Sequence, residues 1–307
     1  MIGLVTEILE IHEDELERWV ATMRAADERA GTVADYRDWK RQSREHVWLL
    51  GVIDGRDAGA AVGVGGWHEP PGVARAELHV VPADRERGVG SALLARLGDW
   101  ASGLGYGELI GESREEDSDS IGWTARRGFV EVGRNSRMVL ELAGVEAPAI
   151  DPPSGIEIVT WAERPELARA MYSVACEAYA DIPGGEDEVM SSFEEWLSAD
   201  MQGVSDRPEA TWVALADSEV VGYAKLALSS SRPGVIIHDI TGVLRTWRGR
   251  GIASALKRAE IAWAVETGAT HLETSNEERN APIRALNEKH GYRLQPGQVT
   301  VRGPIPG

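Results

Sequence analysis

The chain has 307 residues, room for two domains of ordinary size, and its 43% hydrophobic and 27% charged residues are the balance of a globular protein. Acidic residues outnumber basic ones by 50 to 32, a formal charge of −18, which argues against nucleic acid or an anionic membrane surface as partner. Cys176 is the only cysteine, which excludes an intrachain disulfide and a Cys-rich metal site. No apolar run approaches the roughly 20 residues that span a bilayer. The N-terminus MIGLVTEILEIHEDELERW is acidic and lacks the basic start of a secretory signal, so a cytoplasmic location is expected. The histidines are scattered without paired-ligand spacing, and no metal is expected.

In chain order, HVWLLGVID (46–54) and AAVGVGGWHE (60–69) are short apolar runs parted by turn residues, which predicts a hairpin. A third run, RAELHVV (75–81), leads into the loop DRERGVGSA (84–92). Leu93, Leu94, Leu97 and Trp100 then share one helical face. A short strand (GELIGE) and a helix (SIGWTARRGF) finish this part. Between Val145 and Gly155 the sequence VEAPAIDPPSG holds three prolines and no period, the composition of a semi-rigid spacer.

The same order then returns. TWVALAD (211–217), VVGYAKLAL (220–228) and GVIIHDITGV (234–243) are followed by the loop WRGRGIASA (247–255) and a helix with Ala255, Leu256, Ala259 and Trp263 on one face. A shift of 163 superposes the halves without a gap from Val80 on Val243 onward. It brings Arg85 onto Arg248, Gly88 onto Gly251, Gly90 onto Ala253, Trp100 onto Trp263 and Phe129 onto Tyr292. The chain therefore reads as a duplicated α+β unit: residues 1–145, a linker at 146–155, and residues 156–307. Trp and Leu on the helices, and Cys176 within RAMYSVACEAYA, read as packing.

The two loops join a strand end to a helix start, where unpaired N–H groups and a partial positive charge favour an anion. Glycine there removes the Cβ atoms that would hold an anion off, and Arg85, Arg87, Arg248 and Arg250 add charge on an acidic chain. Neither loop has the Lys-Ser/Thr of a P-loop. The third glycine of a dinucleotide fingerprint is replaced by Leu93 or Ser254.

The pattern Arg-x-x-Gly-x-Gly/Ala after an apolar strand, met twice, resembles the hallmark of the GNAT superfamily of N-acetyltransferases, and the resemblance covers both halves. It implies two tandem domains, each a mixed, mostly antiparallel central sheet flanked by helices, and acetyl-CoA as acyl donor. The pyrophosphate would then sit on Arg85, Arg87, Gly88, Val89 and Gly90 in the first half. In the second it would sit on Arg248, Gly249, Arg250, Gly251, Ile252 and Ala253. The pantetheine arm would pair with the strand near Val80 and Val81, or Val243 and Leu244. Asn280 matches a later family position that often contacts the cofactor, whereas the first half has Asp117 there.

Acetyl transfer to an amine needs a base for the ammonium, polarisation of the thioester carbonyl and a proton for the leaving thiolate. By the resemblance, a central strand supplies the base. Asp239 is the expected base, with His238 as competitor; on a regular strand Asp239 and Thr241 would share a face. Glu77 and His79 are the first-half counterparts. Where many relatives carry a tyrosine as general acid, this chain has Asn287 and Thr124; Asn287 could still hydrogen-bond the thiol or pantetheine. Aligning LEI (9–11) with IEI (156–158) gives the second half 16 extra residues, placed mainly in 178–203. Asp181, Glu186, Asp187, Glu188, Glu194 and Glu195 would make an acidic mouth there for a small cationic amine. The competing reading is a non-catalytic acyl-CoA-binding or interaction protein.

Overall fold

A computed structural model of the chain describes residues 6–66, 69–183 and 192–306. Two compact units emerge, residues 1–134 with 298–307, and residues 135–297.

The first unit runs β1 (Thr6–Glu10), α1 (Leu16–Ala26), α2 (Val33–Gln42), β2 (Glu45–Ile53), β3 (Arg56–Gly65), β4 (Val73–Val80), α3 (Val89–Gly103), β5 (Glu108–Arg114) and α4 (Ser118–Ala125), then into β6 (Val130–Glu141). Strands β1 to β4 are antiparallel neighbours, and β4 lies parallel to β5. The alternating side chains of these strands feed two cores. One, with Leu93, Leu97 and Leu109, lies under α3; the other, with Trp19, Trp48 and Tyr36, lies under α1 and α2.

The second unit repeats the plan with β7 (Ile156–Thr160), α5 (Ala168–Tyr179), α6 (Phe193–Asp200), β8 (Asp206–Ala216), β9 (Glu219–Leu228), β10 (Val235–Val243), α7 (Ile252–Glu266), β11 (His271–Glu277) and α8 (Ala281–Lys289), then β12 (Arg293–Pro304). Its cores sit under α7, around Leu256, Ala259 and Leu272, and under α5 and α6, around Met171, Trp196 and Tyr223.

The units exchange their last strands. Residues 135–141 of β6 pair with β11, and residues 298–304 of β12 pair with β5. A partition of the chain at 146–155 therefore differs from the division into compact units, because each fifth strand finds its outer partner in the other half of the sequence. Arg137 on the exchanged strand clamps Glu273 of β11, and Arg302 does the same to Glu108 of β5. The Pro-rich segment belongs to the second unit: Arg258 of α7 donates to the carbonyls of Ile150 and Asp151 at 2.7 and 2.6 Å.

Strand pairing corrects one alignment. Thr6 lies opposite Ile53 as Ile156 lies opposite Ala216, so the early shift is 150 and the second unit is longer by 13 residues, the difference from 163. The apolar triplets LEI and IEI are out of register by three residues, since short apolar runs carry too little pattern to fix an offset.

Candidate active site

In both units the fourth strand ends in a turn that starts a 15-residue helix. Gly251 caps α7 and Gly88 caps α3 in the left-handed region, with φ of 88° and 90°. The first bond of α7 runs from Ala255 N–H to the Gly251 carbonyl, so the amides of Ile252, Ala253 and Ser254 have no partner within the helix. Space is open around the turn: a Cβ on Gly249 would meet nothing within 4 Å. Arg248 is drawn back onto the strand, its Nε donating to the Val243 carbonyl at 2.8 Å while Nη2 pairs with Asp181 at 2.6 Å. Arg250 stacks on Trp247 with its guanidinium 4.4 Å from the ring centroid.

Beyond the turn lies a fork. β10 and β11 pair over three residues, Val235–Ile237 against His271–Glu273, and then part. From His238 onward β10 pairs with no strand but β9 among the described residues, so the edge that faced β11 is open to an extended ligand up to Val243, whose carbonyl Arg248 holds. The first unit forks in the same way after Arg75 and Ile110.

The register of β10 breaks between His238 and Ile240. Leu226 faces His238, Lys225 faces Ile240, and Asp239 is the extra residue of a β-bulge. The strand is therefore not the regular one on which Asp239 and Thr241 would share a face. His238 and Thr241 meet on the α7 side, Nε2 to Oγ1 at 2.8 Å. Asp239 turns the other way and pairs with Lys225 at 2.8 Å. Its side chain is 45% exposed, whereas that of Lys225 is 3% exposed. Lys225 also bonds Asp206 at 2.8 Å and the Asp200 carbonyl. Burial alone would lower its pKa, yet the carboxylates of Asp239 and Asp206 outweigh it and push the pKa up to about 12.

His238 and Asp239, adjacent in sequence, are thus separated by the sheet. His238 is 3% exposed and touches Lys257 at 2.8 Å and Glu260 at 2.9 Å, both on α7 and fully buried. Sequence reading missed Lys225, Lys257 and Glu260. The signal for the last two was present in the repeat, for the shift of 163 puts them on Leu94 and Leu97 of an apolar helix face. Asn287 is also fully buried; it donates to the Asn276 side chain at 3.0 Å, and its own oxygen has no partner. Asn280 caps α8 without a side-chain bond, leaving its amide for other contacts.

The first unit differs at each of these points. Its β4 pairs β3 in unbroken register from Arg75 to Val80, so Asp239 has no counterpart and Ala76 stands where His238 does. Glu86 occupies the place of Gly249, holding a left-handed φ of 61° that costs a non-glycine residue about 1 kcal/mol and setting a carboxylate in the turn. Arg87 pairs with Asp84 and Asp54. Arg85 reaches the Val80 carbonyl only at 3.5 Å. Asp117 caps α4 through the Ser120 amide at 2.9 Å. A Cβ on Gly90 would touch Val80 and Trp123, on which Arg127 stacks at 3.8 Å. Thr124 donates back to the Ile121 carbonyl. Glu77 and His79 bond each other at 2.9 Å beside Tyr36. Burial opposes protonation of His79, but Glu77 prevails and its pKa is raised.

The acids expected at the mouth have separate partners. Asp181 binds Arg245 and Arg248, Glu194 pairs with Arg169, and Glu195 closes a capping box with Ser192 at the start of α6. Glu186, Asp187 and Glu188 lie outside the described residues. Among the described residues no helix is long and apolar enough to cross a membrane.

Comparison with known proteins agrees with this architecture. The model of the acetyltransferase (GNAT) family matches the chain twice, at residues 7–129 and 168–292. The chain belongs to the GNAT acetyltransferase family. A mycothiol acetyltransferase from Geodermatophilus obscurus is 26% identical over 269 residues, covering 83% of this chain and 81% of that protein. A tandem GNAT protein of the clavulanic acid biosynthesis pathway, solved without AcCoA, superposes with a TM-score of 0.80 at 19% identity over 99% of both chains. A GCN5-related N-acetyltransferase from Sphaerobacter thermophilus gives 0.76 at 23% identity, covering 98% of this chain and 96% of that one. The protein is a tandem GNAT N-acetyltransferase with acetyl-CoA as acyl donor. The turn at Gly251, with its unpartnered amides, and the open edge of β10 fit that donor's diphosphate and its extended arm.

Proposed function

We propose that the second unit carries out acetyl transfer to the amine of a small molecule and that the first unit serves the structure. The observation that carries this reading is the bulge at Asp239. It presents a half-exposed carboxylate at the fork of the second unit, and the first unit has no residue at that position.

In this reading Arg248–Ala253 hold the diphosphate through backbone N–H groups, Val243 and Leu244 border the arm, and Asn280 contacts it, whereas Asn287 is buried against Asn276 and stays behind the site. Acetyl-CoA supplies an activated acyl group. Asp239 accepts the proton of the incoming ammonium, directly or through a water, with Lys225 fixing the carboxylate's direction. His238 is not the base, because its ring is buried under α7. The acceptor is proposed to be cationic, since the accessible group at this face is the Asp239 carboxylate and a second carboxylate, Asp206, shares its Lys225 partner. The name of the Geodermatophilus relative, a mycothiol acetyltransferase, supports a small-molecule acceptor.

Thiol release from acetyl-CoA with a panel of amines tests this. Asp239→Asn is expected to lower kcat about a hundredfold or more with acetyl-CoA affinity unchanged. Full activity in that variant, or reaction with neutral and acidic acceptors only, would refute it.

A further inference from the structure

The core of the second unit holds a chain of polar side chains that the first unit lacks. Thr241 is half-buried on β10 past the point where β11 has parted from it. Its Oγ1 lies 2.8 Å from His238 Nε2, and the same nitrogen meets Lys257 Nζ at 2.8 Å and Glu260 Oε2 at 2.9 Å. At the matching positions the first unit has Leu78, Ala76, Leu94 and Leu97. Four apolar residues suffice to fold this element once, so folding alone does not call for the polar set.

The contacts fix the protons. An ammonium has donors and no acceptor, so Lys257 takes the lone pair of Nε2 and the imidazole proton sits on Nδ1. A carboxylate facing that lone pair would be repelled, so Glu260 stands there as the neutral acid, the form that its burial favours. With the lone pair taken, the Thr241 hydroxyl has no acceptor for its own proton at His238.

We propose that Lys257 is a positioning residue for acetyl transfer: by occupying His238 Nε2 it turns the Thr241 hydroxyl outward, to donate a hydrogen bond to the thioester end of the acyl donor in the fork. When Lys257 loses its proton, Thr241 donates to Nε2 instead and the fork loses that donor. This rests on the second unit being the site of transfer. Around Lys257 stand His238 of β10, Glu260 of α7, His290 after α8 and the ring of Tyr292 before β12. Burial brings Lys257 down to about 8, and burial with the nearby cations brings His290 down to about 4. Turnover that needs the ammonium is complete at lower pH and falls as pH rises through about 8.

Two measurements test it. With the best amine of the panel, K257M and T241V are each expected to lower kcat roughly a hundredfold with little change in KM for acetyl-CoA. The double variant should be no worse than either, and both should lose the high-pH limb. Because K257M could fail to fold, the triple variant H238A/K257L/E260L is measured beside it; it installs the first unit's residues and removes the acceptor that would capture Thr241, so it should keep kcat while losing the high-pH limb. In the protein without acetyl-CoA, ¹⁵N imidazole NMR should show His238 with its proton on Nδ1. A proton on Nε2, additive effects in the double variant, wild-type kcat and pH profile in a folded K257M, or a hundredfold loss of kcat in a folded triple variant would overturn the proposal. The variant G251E separates the two levels: if it still binds acetyl-CoA and turns over, it is the assignment of the second unit that fails.

Discussion

The two units share strand order, fork and glycine-capped helix, yet they part at a handful of positions that lie around one another. The second unit has an inserted Asp239, a glycine at 249, an uncommitted Asn280 and a polar core beneath its fork. The first unit has unbroken register, Glu86 in the turn, Asp117 spent on a helix cap and an aromatic–guanidinium pair over the helix start. Duplication therefore supplies an internal control. What only one unit keeps points to chemistry.

The comparison is broken most directly at the turns. Gly251→Glu forces a side chain and a negative charge into the second turn at a left-handed φ, and should abolish measurable turnover; Gly88→Glu should leave it. If Gly88→Glu alone stopped thiol release, the assignment of the units would be reversed.

Deleting Asp239 gives β10 the register of β4 and sharpens the comparison further. Kinetics should show kcat falling about a hundredfold or more, with the circular dichroism of the folded protein retained. Retained turnover would make the bulge incidental.

The exchanged strand gives a smaller effect, on stability. Burial would raise the pKa of Glu273, but Arg137 and Arg232 hold it below the ordinary carboxylate value. A depressed carboxylate contributes stability that is present above the unfolded pKa and lost as pH falls through the folded one. Glu273→Gln should cost about 2 kcal/mol in urea unfolding at neutral pH and much less in acid. Equal cost at both would show that the ion pairs contribute little. Smallest is Glu86→Gly, which relieves the left-handed strain against a larger unfolded-state entropy. It should stabilise the chain by about 0.5 kcal/mol without changing turnover.

Much of this was legible in the sequence, because glycine turns and helix faces are local. Gly88, Gly251 and the stripe from Leu93 to Trp100 set their elements by backbone freedom and period, and the shift of 163 linked the copies. The resemblance implied a bulge in this strand but the residues did not place it: one added residue changes no composition, and the pairing of Leu226 with His238 and of Lys225 with Ile240 puts it at Asp239. The strand exchange was hidden because β6 and β12 have equivalent patterns, so nothing local says which fifth strand each will join. Lys257 and Glu260 were overlooked because charged residues on a helix are ordinarily solvated, and burial of both follows from packing against β10.

The account turns on which glycine turn receives the donor's diphosphate. Hydrogen–deuterium exchange with and without acetyl-CoA reads this directly. Slowed exchange in the peptide spanning 248–255, with 85–92 unchanged, is the predicted result. Protection confined to 85–92, or none in either turn, would contradict it.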